Sequence, residues 1–358
     1  MTLFEMYKKS KTDNLKEQDL FTYFNCIGNE IDCLLNKINN EIITLHDYML
    51  YNILNDIDYY AIVNSIPIWI RNAGHSQESA MGKVLFEKMV HANDNYLTHK
   101  LLYYYDCEML IDSLQNRFTV TEELLNQVYR VLSSTIDLRI DDYENVCYTI
   151  DSSSIHTHAC LNSIFINLAS SCDLMTKIAF ELEAIPTVDF STYPKMRSRN
   201  ITFGNLSALS DTIKQPGTYF EHPRSKPVAM IETFRDEIIH NGSLDFNYTI
   251  YCGNKGNKLY KWILFPDFDE SGQFTSYKNR KKFYNDGSRT FNDQLPILMR
   301  DFLTIALNTL VVLKDVHYCS CNRDINDLKK NNKEILQWTN TFVRIADADM
   351  KKGKKKDI

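Results

Sequence analysis

Apolar residues Leu161, Ile164, Phe165, Leu168, Cys172, Met175, Ile178 and Leu182 recur almost entirely at steps of three and four until Pro186 interrupts them. That spacing holds side chains on one face of an α-helix, whereas a half-buried strand would alternate. The same period appears earlier. Leu20, Phe24, Ile27, Ile31, Leu34 and Ile38 mark a long amphipathic helix, and Leu45, Met49, Ile53, Ile57 and Tyr60 a second stripe. A short join between two such helices predicts an antiparallel pair. The pattern breaks near Pro67 and Gly74. It resumes from Met81 to Met89, and again from Leu97 to Leu114 through Tyr103, Tyr104 and Tyr105. Thr119 and Glu122 have capping-box spacing, which predicts a fresh helix start before Leu124, Val128 and Leu132. With 11 Gly and 8 Pro in 358 residues, little else stops a helix. The expected fold is mostly α.

Departures from that period set the expected organisation. The acidic, mixed segment from Asp137 to Asp151 predicts a boundary, giving an N-terminal helical domain over 1–150. A second helical domain is expected over 151–320, and a C-terminal helix with a lysine-rich tail over 321–358. Residues 187–226 read as irregular and polar. Tyr248 to Cys252 and Leu259 to Phe265 alternate around the polar Gly253–Lys258 turn, which predicts a β-hairpin inserted among helices. Lys278, Arg280, Lys281 and Lys282 lie in a basic loop. Leu295 to Val316 is apolar nearly all round and reads as a central buried helix. Its most apolar run, Phe302 to Val312, is too short to span a bilayer, so no membrane partner is expected.

A net charge of −6 gives no global basic field, so any nucleic-acid contact must be a local patch. Nine cysteines, scattered and odd in number, with no signal-like N-terminal run, predict free thiols and a cytoplasmic protein. His156, His158 and Cys160, with Cys319 and Cys321, do not have zinc-site spacing, so neither metal nor cofactor is expected.

The stretch Phe234-Arg235-Asp236-Glu237-Ile238-Ile239-His240-Asn241-Gly242 carries the chemistry. Ile231, Phe234 and Ile238 form its apolar stripe, and Asn241-Gly242 is a helix stop. Arg235, Asp236 and His240 lie off the stripe, so packing does not explain them. Residues five apart on an ideal helix differ by about 140° around the axis. Either the helix end distorts before Gly242, or two copies of the chain build one cleft. The same residues also fit a solvated Arg–Asp pair and a histidine at the negative end of a helix dipole.

This stretch resembles the R-x4–6-H motif of HEPN domains, helical modules found in many prokaryotic defence and toxin ribonucleases. The likeness covers roughly residues 150–320. It implies metal-independent endoribonuclease activity with Arg235, Asp236 and His240 as the catalytic set, and a homodimer that assembles its cleft across the interface. It further implies an RNA substrate, a role in phage defence, abortive infection or toxicity, and an antitoxin or defence-system partner. The alternative is a non-catalytic HEPN-like dimerisation scaffold. Lys278, Arg280, Lys281 and Lys282, flanked by Phe274, Tyr277, Phe283 and Tyr284, are the candidate RNA-binding residues. A shorter version of the motif, Arg71 to His75, lies in a broken stretch and carries less.

Overall fold

The structure, a computed structural model, describes residues 17–55, 57–133, 147–254, 259–278, 281–284, 289–317 and 325–353. About 70 % of the chain is helical and its strands are few and short, so the fold is mostly α. The principal helices are α1 (Glu17–Ile53), α2 (Lys83–Ala92), α3 (Tyr96–Ser133), α4 (Ser152–Ala184), α5 (Lys226–Asp236), α6 (Phe291–His317) and α7 (Ile325–Gly353).

Two of these are longer than expected. α1 runs unbroken where a helical pair was read, because nothing between Ile38 and Leu45 breaks a helix. Its stripe Ile31, Leu35, Ile38, Ile42, Leu45, Met49 and Ile53 is buried without interruption. α3 likewise passes straight through Thr119. The Thr119 hydroxyl donates to the carbonyl of Gln115 one turn back, the mid-helix habit of threonine, and caps nothing.

Compact packing divides the chain into two units that interleave along the sequence. One comprises 1–41, 114–173 and 211–312, the other 42–113, 174–210 and 313–358. This differs from the sequential partition at 150 and 320, since α1, α3, α4 and α6 each supply residues to both units. The segment 134–146, where the boundary was expected, lies outside the described residues, as do the N-terminal sixteen and the last five of the tail.

In the first unit, β1 (Cys147–Thr149), β2 (Ile250–Asn254) and β3 (Leu259–Trp262) form an antiparallel sheet in the order β1-β2-β3. The expected hairpin is β2–β3, with Tyr251 opposite Trp262. The third strand comes from a segment too short for its period to be read. The basic loop also holds a two-stranded ribbon, β4 (Ser276–Tyr277) with β5 (Lys281–Lys282).

The core of this unit is aromatic. Phe234 of α5 stacks on Phe165 of α4 at 4.0 Å, with the rings 18° apart. Phe265, Phe268, Phe274 and Phe291 close round the same ring within 6 Å. Gly272 seals the first turn of α5 against its loop. Its φ is +82°, and a Cβ there would come within 2.9 Å of Ala229 Cβ and 3.0 Å of the Lys226 carbonyl.

In the second unit, Glu181 is fully buried and accepts from the Tyr103 hydroxyl at 2.5 Å and the Ser198 amide at 2.7 Å. His75 of the shorter motif pairs with Asp106 at 2.8 Å, a contact that ties a loop to α3. Among the described residues, α6 alone is long and apolar enough to cross a membrane, longer than the run read from sequence. Of its most apolar window, 56 % is buried inside the protein.

Removing the ring at the centre of the first core tests that packing. Phe234→Ala is expected to cost about 3–5 kcal/mol, through lost transfer energy and the cavity left behind. Urea unfolding monitored by circular dichroism measures it. A cost below about 1 kcal/mol would mean the aromatic cluster does not hold α5.

Candidate functional site

The motif begins on α5, which Pro227 opens in its first turn, where a missing N–H costs nothing. Val228, Ala229, Ile231 and Phe234 bury one face, which leaves Arg235 and Asp236 at the surface. The helix then changes hydrogen-bond pattern. Glu237–Asn241 is a π-helical turn, and the Gly242 amide donates to the Glu237 carbonyl at 3.0 Å, five residues back. A π-turn spends more residues per revolution than an α-turn, so the five-residue interval from Arg235 to His240 turns through less than the α-helical angle. Of the two expectations left open above, distortion at the helix end is present within one chain. Gly242 ends the turn at φ +125°, a conformation strained for any other residue.

Arg235 Nη1 holds the Asp236 carboxylate at 2.5 Å, and both groups are solvent-accessible. His240 is exposed and makes no hydrogen bond or ion pair with the described residues. Ile238, expected in the stripe, is only half-buried, and Ile239 is 54 % exposed. One turn earlier, Arg224 pairs with Glu232. Burial pushes the Glu232 carboxyl up, Arg224 opposes this, and Asp236 adds to it.

Lys282 and Glu237 tie the motif to the β-ribbon. Lys282 Nζ reaches Glu237 Oε1 at 2.7 Å and the Leu244 carbonyl at 3.1 Å, with both side chains largely shielded. Asn241 Nδ2 donates to the other Glu237 oxygen at 2.9 Å. Of the basic residues singled out from sequence, Lys282 therefore faces inward onto the motif and Lys281 is exposed on β5. Lys278 sits at φ +51° in the connecting turn, its ammonium 5.6 Å over the Tyr277 ring, and Arg280 lies outside the described residues.

Beyond Gly242, the Asp245 carboxylate accepts amide protons from Asn247 at 3.1 Å and Thr249 at 2.6 Å. These bonds hold Tyr248 at φ +53°, and its ring meets His158 edge-on at 5.8 Å. A cavity of about 190 Å³ opens here, lined by residues that include His158, Asp245, Tyr251, Phe274, Lys282 and Tyr284. His158 is 2 % exposed. Its Nε2 donates to the Thr249 carbonyl at 3.1 Å, and its Nδ1 has no partner. Burial and the neighbouring Asp245, Tyr251 and Glu237 push the Tyr284 phenol up to about 12.

Spacing had drawn attention to His158 only as an unsupported metal ligand. Its better signal was a polar residue at a stripe position, three before Leu161 and seven before Phe165. No group of three or more His, Cys, Asp or Glu suited to a metal ion occurs among the described residues, and Cys319 and Cys321 lie outside them. The Cys160 sulfur approaches His156 Nε2 at 3.6 Å instead. Compared with protein-family models, with curated proteins and with solved structures, the chain matches none.

Burial holds the His158 imidazole below its ordinary value, against the opposing Thr249 carbonyl and Asp245 carboxylate. The unfolded chain therefore binds more protons than the folded one as pH falls through about 6.5, and stability declines there. His158→Leu should flatten the stability profile between about pH 7.5 and 5. Some slope should remain from His317, which burial also holds low. Urea midpoints across that range check this, and equal slopes in the two proteins would sink it.

Proposed function

We propose that the chain is a HEPN-type endoribonuclease that cleaves RNA by attack of a ribose 2′-hydroxyl on the adjoining phosphate, in phage defence or as a toxin. The observation that carries this reading is the π-turn that follows Arg235 and contains His240. It leaves an exposed imidazole, unpaired among the described residues, five positions from a guanidinium on a helix anchored by its opposite face. Irregular helical turns of this kind concentrate at functional sites.

In this mechanism His240 takes the proton of the 2′-hydroxyl as the 2′-oxygen bonds to phosphorus. The bond to the 5′-oxygen breaks, and that oxygen takes a proton from solvent as it leaves. The products are a 2′,3′-cyclic phosphate and a free 5′-hydroxyl. Arg235 neutralises charge that develops on the phosphoryl oxygens. Asp236, already bonded to Arg235, fixes the direction of the guanidinium. The chemistry calls on no divalent ion.

His240→Ala and Arg235→Ala should each abolish RNA cleavage while changing stability by less than about 0.5–1 kcal/mol, because both side chains are solvent-accessible. The assay uses purified wild type and variants on total RNA in EDTA, with matched DNA as control. Full activity in His240→Ala, or equal cutting of DNA, removes the mechanism.

Assembly gives a second test. Ile239 and Phe246, which flank the motif's end, are 54 % and 91 % exposed, an apolar pair that suits a two-fold contact between copies. Phe246→Asp with Ile239→Lys should convert a dimer to a monomer in light scattering. A wild-type chain that is strictly monomeric at working concentration excludes the shared cleft. A dimer without nuclease activity favours the scaffold reading.

A further inference from the structure

The cavity beside the motif is used by no step of the chemistry above, yet it is built like a binding site. Leu244 and Asp245 reach its wall directly from Gly242, and Lys282 in its lining holds the Glu237 carboxylate of the π-turn. At about 190 Å³ it falls below the ~300–1,000 Å³ of pockets for drug-sized ligands, which leaves room for one ring system rather than a whole nucleotide. Tyr251, Phe274, Tyr284 and Phe291 supply aromatic surface. His158 also lines it, but its Nε2 proton is committed to Thr249 and its Nδ1 is closed off from solvent, so it supplies wall rather than a bonding group. Asp245 adds acceptor oxygens on the same lining. The Lys282 charge is already matched by Glu237, so the cavity does not present a bare cation to a free anion.

We propose that this cavity receives a single nucleobase of the RNA strand, turned out of the stack beside the phosphate held at Arg235 and His240. This rests on the ribonuclease reading of the adjoining motif. A base has faces that stack on aromatic rings and an edge that carries hydrogen-bond donors and acceptors. The two Asp245 oxygens, each accepting one amide proton already and each with a lone pair to spare, favour an edge with paired N–H donors. Guanine, with two such donors side by side, suits them better than uracil, with one.

The test uses the intact chain and the four nucleosides, which have no phosphodiester to cut, so binding is read separately from cleavage. Saturation-transfer NMR and calorimetry should detect guanosine in the micromolar-to-millimolar range, ahead of uridine. Asp245→Asn and Tyr284→Ala should each weaken it by about ten-fold or more, with melting curves reporting whether the fold survives. If Asp245→Asn fails to fold, Tyr284→Ala decides, since Tyr284 is 38 % exposed. Guanosine binding lost in the variants supports the pocket even if wild type cuts no RNA, and that result would remove the ribonuclease reading alone. No nucleoside signal in wild type at about 5 mM overturns the proposal, as does binding unchanged in both variants. Displacement of guanosine by inorganic phosphate would also overturn it, since the occupant would then be an anion.

Discussion

Phe234 meets Phe165 face to face and four further phenylalanine rings, three of them edge-on. That contact set fixes the rotation of α5 about its own axis, because a helix with one buried aromatic wedge has little freedom to roll. Arg235 and Asp236 follow immediately, so their exposure is a consequence of where Phe234 points. Gly272 acts from the far side. With a Cβ excluded by Ala229 and the Lys226 carbonyl, the loop closes on the first turn of α5 and fixes its translation as well. The chemistry of the surface is thus set by apolar packing beneath it.

Charged groups then join the helix end to the strands. Glu237 is satisfied by both Lys282 and Asn241, and Asp245 by two amides of its own loop. A half-buried carboxylate left without such partners would cost more than the pair contributes. The geometry from Glu237 to Thr249 therefore behaves as one bonded segment. Tyr248 is held in a conformation that an aromatic residue adopts reluctantly, and the Asp245 bonds offset that strain.

Much of this was legible in the sequence, for identifiable reasons. Long apolar stripes such as Leu161 to Leu182 announce helices because one period persists over many turns. The β2–β3 hairpin declared itself by alternation. Helix continuity through Ile38–Leu45 and Thr119 was misread because local signals for a join or a cap compete with the absence of Gly or Pro, and the absence decides. Cys147–Thr149 has too few residues for any period, and its strand exists only because Ile250–Cys252 offers it an edge. At the candidate site, residue type and spacing single out Arg235, Asp236 and His240, and the surface position of all three follows from the apolar stripe they lie off. Lys282's turn inward could not, since its partner Glu237 lies 45 residues away. Hydrogen-bond pattern within a helix is equally silent in sequence, because α- and π-turns use the same residue types.

The π-turn at Glu237–Asn241 amounts to one surplus residue in an otherwise ordinary helix. Loss of a single codon in that interval would let the α-helical ladder close normally. The segment beyond it would then swing by about 100° and shorten by about 1.5 Å. His240 would face a different direction, and Leu244 would be drawn off the lysine it now accepts from. The geometry of the segment therefore depends on the number of its residues as well as on their identity. An insertion or deletion within 237–241 should disturb the segment even where every side chain it names is kept.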